Sequence, residues 1–139
     1  MENIDDIIKY SSDLKLLYVE DDLIARESIK IILEEFFKKI IVAVDGMDGL
    51  EKYRDNSVDL IITDINMPKL NGLKMIEKIR EKDKDTPIMI LSAYTESEYL
   101  NIGTKLGIGG YLLKPFDLDQ FVSTLDNVLR NRTEITTKQ

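Results

Sequence analysis

The sequence contains no cysteine and no histidine, and only three prolines and seven glycines. Without cysteine there is no disulfide framework, no thiolate zinc site and no thiol nucleophile, and without histidine most zinc sites and every histidine-based triad are excluded. Chemistry in this chain rests on carboxylates, hydroxyls and lysine. Long hydrophobic runs are also missing: no apolar stretch approaches the roughly 18 residues that a membrane span needs. The first ten residues, MENIDDIIKY, are acidic where a signal peptide is basic. A cytoplasmic location without membrane insertion is the expectation. Excess positive charge is lacking too: Lys+Arg 19 against Asp+Glu 26 leaves a formal net charge of −7. That balance disfavours attraction to nucleic acid or anionic lipid, and direct nucleic-acid binding is not expected.

What is present is one domain's worth of alternation in 139 residues. Short apolar runs at 16–19, 40–44, 60–63, 88–91 and 111–113 are separated by amphipathic stretches, the pattern of repeated βα units. The runs lack polar alternation, as strands buried on both faces of a parallel sheet do. The expected fold is α/β: a flavodoxin-like (βα)5 doubly wound sheet in the order 2-1-3-4-5. Ile29, Ile32, Leu33 and Phe36 share one helical face, and Leu118, Phe121, Val122, Leu125 and Leu129 share another. Leu73, Ile76 and Ile79 mark a third helix, Leu50 and Tyr53 a short one after Gly49, and Thr95 to Leu106 a thinly apolar fifth that opens with a capping box. Asp117, with Gln120, caps the last helix, and Asp22 caps the first after the 16–19 run. Residues 1–13 read as an N-terminal extension in which Ile4, Ile7 and Ile8 make one apolar turn. The domain spans 14–130, and 131–139 is a polar tail or a truncated linker.

The strand ends carry the chemistry. The runs stop at Glu20-Asp21, at Asp64, at Ser92 and at Lys114, and in open α/β sheets that rim is where ligands bind. The 2-1-3-4-5 order brings Glu20, Asp21 and Asp64 to the switch point. Like charges about 4 Å apart repel by roughly 4 kcal/mol at an effective dielectric near 20, so either a proton is shared or a cation binds. Oxygen ligands with substrate phosphate suit Mg2+, for which Mn2+ can substitute. A carboxylate nucleophile, a divalent cation, a hydroxyl and an ammonium are the parts of phosphoryl transfer.

The segments YVEDD, TDINMPKLNG, LSAY and GGYLLKPF resemble the receiver domain of two-component response regulators, over roughly residues 15–130. The resemblance implies that Asp64 accepts phosphate from a histidine kinase or phosphotransfer protein, and that Asp21, Asp64 and the carbonyl of Asn66 hold Mg2+ with help from Glu20. It makes Ser92 and Lys114 the phosphate contacts, Tyr111 the aromatic that reports the switch, and Lys114-Pro115 a cis peptide. Asn66 and Tyr94 take the positions that tune self-dephosphorylation. Glu20 stands where Asp is commoner and Ser92 where Thr is commoner, and both keep the chemistry. Gly109-Gly110 replaces acidic residues used in some dimers of the family.

The implied function is a phosphorylation-dependent signalling switch that phosphorylates and dephosphorylates itself and turns over no external substrate. Its output is an unidentified downstream protein or an output domain outside this sequence. The alternative is an interaction module that works without phosphorylation. A metal-dependent phosphatase wants a second Asp two places after the nucleophile, where this chain has Asn66.

Overall fold

Five strands form one parallel sheet in a computed structural model that describes residues 3–93 and 105–138, without the side chains of 132–138. They are β1 (Lys15–Val19), β2 (Lys39–Ala43), β3 (Leu60–Thr63), β4 (Ile88–Ser92) and β5 (Gly110–Leu113), in the order β2-β1-β3-β4-β5. This is the expected doubly wound order. In the central strands β3 and β4 every residue is buried, which is why their sequences show no polar alternation. Side chains still alternate between two cores: Leu16, Tyr18, Leu60, Ile62 and Leu91 face one, and Leu17, Val19, Ile61, Ile88 and Ile90 face the other. Each fully buried aliphatic side chain contributes about 1.5–3 kcal/mol of transfer free energy.

The helices are α1 (Ile4–Ser11), α2 (Leu23–Leu33), α3 (Gly46–Asp55), α4 (Gly72–Arg80) and α5 (Leu118–Lys138). Ile29 and Leu33 of α2 and Phe121, Leu125 and Leu129 of α5 close the first core, while Leu50 of α3 and Met75, Ile76 and Ile79 of α4 close the second. Asn3, Asp22, Asp45 and Asn71 cap α1 to α4, each accepting from a backbone N–H three residues on. These caps satisfy donors that a helix start leaves free. Asp117 Oδ1 likewise accepts from the N–H groups of Asp119 and Gln120 at the start of α5.

Several boundaries differ from the sequence expectation. α3 begins at Gly46 rather than after Gly49, because Asp45 is the cap. Phe36 lies beyond the end of α2 and reaches the core from the following turn, its ring edge-on to Phe121 at 5.1 Å. Leu118, at the first position of α5, is exposed instead of joining the buried face. The backbone of α5 runs on to Lys138 where a tail is expected from 131, and no Gly or Pro interrupts it there. The N-terminal turn is a helix of eight residues: Ile7 is buried, and Ser11 Oγ donates to Phe36 O at 2.6 Å. The helix expected from Thr95 lies outside the described residues except at its end.

Candidate functional site

The sheet ladder runs one residue past the strand ends and into the site. Glu20 N–H donates to Ala43 O (3.1 Å), Asp64 N–H to Val19 O (3.0 Å) and Lys114 N–H to Ser92 O (2.9 Å). Three site residues are therefore held by backbone hydrogen bonds rather than carried on free loops. Their side chains converge from separations of 94 and 50 residues: Lys114 Nζ donates to Glu20 Oε1 at 2.5 Å and to Asp64 Oδ2 at 2.9 Å. Asp64 Oδ1 accepts from the N–H of Ile65 at 2.6 Å, and Glu20 Oε2 accepts from the N–H of Asp22 at 3.2 Å.

Glu20, Asp21 and Asp64 each offer a carboxylate oxygen, all within 4.8 Å of one another. Glu20 has no solvent exposure and Asp64 is 9% exposed. Three carboxylates here meet one ammonium, so the fully ionised cluster carries uncompensated negative charge that burial makes costly. Burial first, and the charge of Asp64 after it, push the Glu20 carboxyl up to about 7 against the pull of Lys114. Burial works against the Lys114 charge, yet the two carboxylates outweigh it and raise its pKa. Compact oxygen donors with excess negative charge fit a hard divalent cation, and Glu20, Asp21 and Asp64 are the side chains that can hold one.

The segment after Asp64 folds back on it. Gly72 N–H donates to Ile65 O at 2.7 Å, and a Cβ on Gly72 would lie 2.0 Å from the Asp64 carbonyl oxygen. Only a residue without a side chain permits that approach. From the other side a Cβ on Gly46 would meet Leu70 O at 1.9 Å, and Lys69, at φ 67°, reaches Asp45 at 3.8 Å. The loop is thus clamped between α3 and α4. Arg26 donates to the carbonyl oxygens of Glu20 (2.9 Å) and Asp21 (3.3 Å) and ties the acidic turn to α2. Sequence reasoning missed Gly46, Gly72 and Arg26 as site supports; the NG pair closing TDINMPKLNG is the one local signal for Gly72.

Of the other expected residues, Ser92 is buried at the end of β4 and its carbonyl pairs with Lys114. Tyr111 lies on β5, half-buried and packed against the second core, as Leu106 and Ile108 are. Asn66 is exposed on the loop two residues after Asp64. The Lys114-Pro115 peptide is cis. Tyr94 lies outside the described residues.

The family model for the response regulator receiver domain matches residues 16–126. The chain belongs to that family. This receiver domain is 36% identical over 119 residues to the chemotaxis protein CheY of Treponema pallidum, covering 84% of this chain and 83% of that one. It spans about half the length of several other curated relatives, among them the transcriptional regulatory protein DltR of Streptococcus agalactiae at 50%. Among solved structures, the N-terminal domain of an uncharacterized Wolinella succinogenes protein superposes with a TM-score of 0.76 at 33% identity, covering 91% of this chain and 98% of that one. A chain of the CheX-CheY-BeF3-Mg2+ complex of Borrelia burgdorferi gives 0.78 at 25% identity, covering 85% of this chain and 90% of that one. No helix among the described residues is long and apolar enough to cross a membrane.

Proposed function

We propose that this receiver domain is a phosphorylation-dependent signalling switch in which Asp64 takes a phosphoryl group from the phosphohistidine of a sensor kinase or phosphotransfer protein. The observation that carries this reading is the contact of Lys114 with both Glu20 and Asp64 beside a third carboxylate, Asp21. An Asp64 carboxylate oxygen attacks phosphorus, the P–N bond breaks, and the imidazole leaves with its electron pair. The Ile65 N–H orients the carboxylate. Lys114 balances negative charge on Asp64 and the incoming oxygens, and Ser92 donates to one of them. Mg2+, or Mn2+ in its place, supplies charge neutralisation at the phosphoryl oxygens when bound by Glu20, Asp21, Asp64 and the Asn66 carbonyl. The Borrelia complex, solved with BeF3 and Mg2+, supports that assignment.

The acyl phosphate so formed is hydrolysed by water at a rate that Asn66 and Tyr94 set, so the domain resets itself and turns over no external substrate. Movement of Ser92 toward the phosphoryl group and of Tyr111 inward changes the surface formed by the segment from Thr95, β5 and α5. That surface meets a downstream protein or an output domain, and the exchange takes place in the cytoplasm. The switch requires the phosphoryl group to favour one arrangement by differential contacts. Incubation with a small phosphodonor and Mg2+ is expected to add the mass of one phosphate, and Asp64→Asn to abolish the addition. An increment that is absent, or that survives Asp64→Asn, overturns the reading.

A further inference from the structure

Tyr18, the fourth residue of β1, has no solvent exposure, and its hydroxyl has no hydrogen-bond partner among the described residues. Leaving such a hydroxyl unsatisfied costs about 1–3 kcal/mol that a phenylalanine in the same place avoids. The extended backbone continues through Glu20, whose N–H completes the ladder to Ala43, so Tyr18 and Glu20, two residues apart, project on the same face. The ring fills the first core with Phe36 and Phe121. Glu20 stands at the rim end of that same face, one pleat beyond the ring. Glu20 has acceptor capacity left: Oε1 takes Lys114, and Oε2 takes only the long bond from Asp22 among the described residues.

We infer that Tyr18 is a positioning residue of the metal site, its hydroxyl donating through one water to the Glu20 carboxylate and holding that carboxylate toward the cation. The inference rests on the phosphorylation reading, since it gives Glu20 its place beside Mg2+. A ligand held by an outer hydrogen bond is both oriented and made more available to a metal, and loss of such a bond lowers metal affinity about 10-fold or more.

The test is Tyr18→Phe in the full chain, with Mg2+ binding followed by calorimetric titration and metal-free stability by urea unfolding. The Mg2+ dissociation constant is expected to rise about tenfold, with metal-free stability unchanged or higher and with apparent affinity for a small phosphodonor unchanged at saturating Mg2+. In a Glu20→Ala background, which removes the acceptor, the effect of Tyr18→Phe on Mg2+ binding is expected to vanish, which a general packing defect would not produce. Mg2+ affinity within about twofold of wild type in Tyr18→Phe, or an undiminished effect in the Glu20→Ala background, overturns the inference alone. A wild-type chain that neither binds Mg2+ nor accepts phosphate overturns the phosphorylation reading and the inference with it.

Discussion

Lys114 Nζ lies 2.9 Å from Asp64 Oδ2 although the two residues are 50 positions apart. The same nitrogen reaches Glu20, so one ammonium is shared by two buried acids. That sharing sets opposite demands on the lysine: it competes with a cation for the acids, yet it helps a phosphoryl group approach them.

Lys114→Met separates these demands. Mg2+ should bind a few-fold more tightly, because a positive charge beside the acids is gone. Phosphorylation from a small donor at saturating Mg2+ should slow about 100-fold, the scale seen when one donor to developing charge is removed. Calorimetric titration and initial phosphorylation rates, measured on one preparation, check the pair. Equal losses in both would contradict this division.

Glu20 makes the metal-free domain sensitive to pH. Its carboxyl is pushed up to about 7 in the fold, chiefly by burial, from an ordinary value of 4.5. The folded state therefore holds a proton that the unfolded chain has released. The stability this contributes is full below about pH 4.5 and is lost as pH rises through about 7. Urea midpoints without metal should decline between pH 5 and 8, by about 2 kcal/mol in stability, and Glu20→Gln should flatten that decline.

Gly72→Ala forces a methyl group onto the Asp64 carbonyl oxygen, 2.0 Å away. The expected cost is about 2 kcal/mol, as in other overpacked sites, together with slower phosphorylation because the loop carrying Asp64 must shift. Gly107→Ala is the control. Its φ of +70° makes alanine strained, but nothing lies within 4 Å, so about 1 kcal/mol should be lost with the phosphorylation rate unchanged. Urea unfolding and phosphorylation rates distinguish the two.

Asp83 lies outside the rim yet ties several elements together. It accepts from Tyr53 on α3 at 2.5 Å, from Thr86 Oγ1 at 2.5 Å, and from the N–H groups of Asp85 and Thr86. Burial raises its pKa, but these hydrogen bonds outweigh burial and hold it at about 2, below the ordinary 3.8. The resulting stability is present above about pH 3.8 and is lost as pH falls through about 2. Asp83→Asn should cost about 2 kcal/mol at pH 7 and remove that acid limb from a plot of unfolding midpoint against pH.

Local chemistry was readable from the chain alone wherever neighbours in sequence supply both partners. Asp22 as the cap of α2 is such a case, its carboxylate accepting from Ala25 N–H at 2.8 Å. The apolar runs at 60–62 and 88–91 of β3 and β4 are another, because burial on both faces favours apolar residues at successive positions. Boundaries were less legible: Gly46 opens α3 because Asp45 turns the chain there, and Phe36 fills a helical spacing although α2 has already ended.

By itself the sequence determined the strands, the caps at Asp22 and Asp117 and the identity of the reactive residues at the strand ends, since each depends on periodicity or on side chains a few positions apart. Only the tertiary structure decided which acids share Lys114, how deeply Glu20 is buried, why Gly72 must lack a side chain, and that the buried Tyr18 hydroxyl has no partner among the described residues. The Lys114 contacts bring together groups 50 and 94 residues apart. Their distances and desolvation exist only once the sheet has set its register, and no spacing along the chain encodes them.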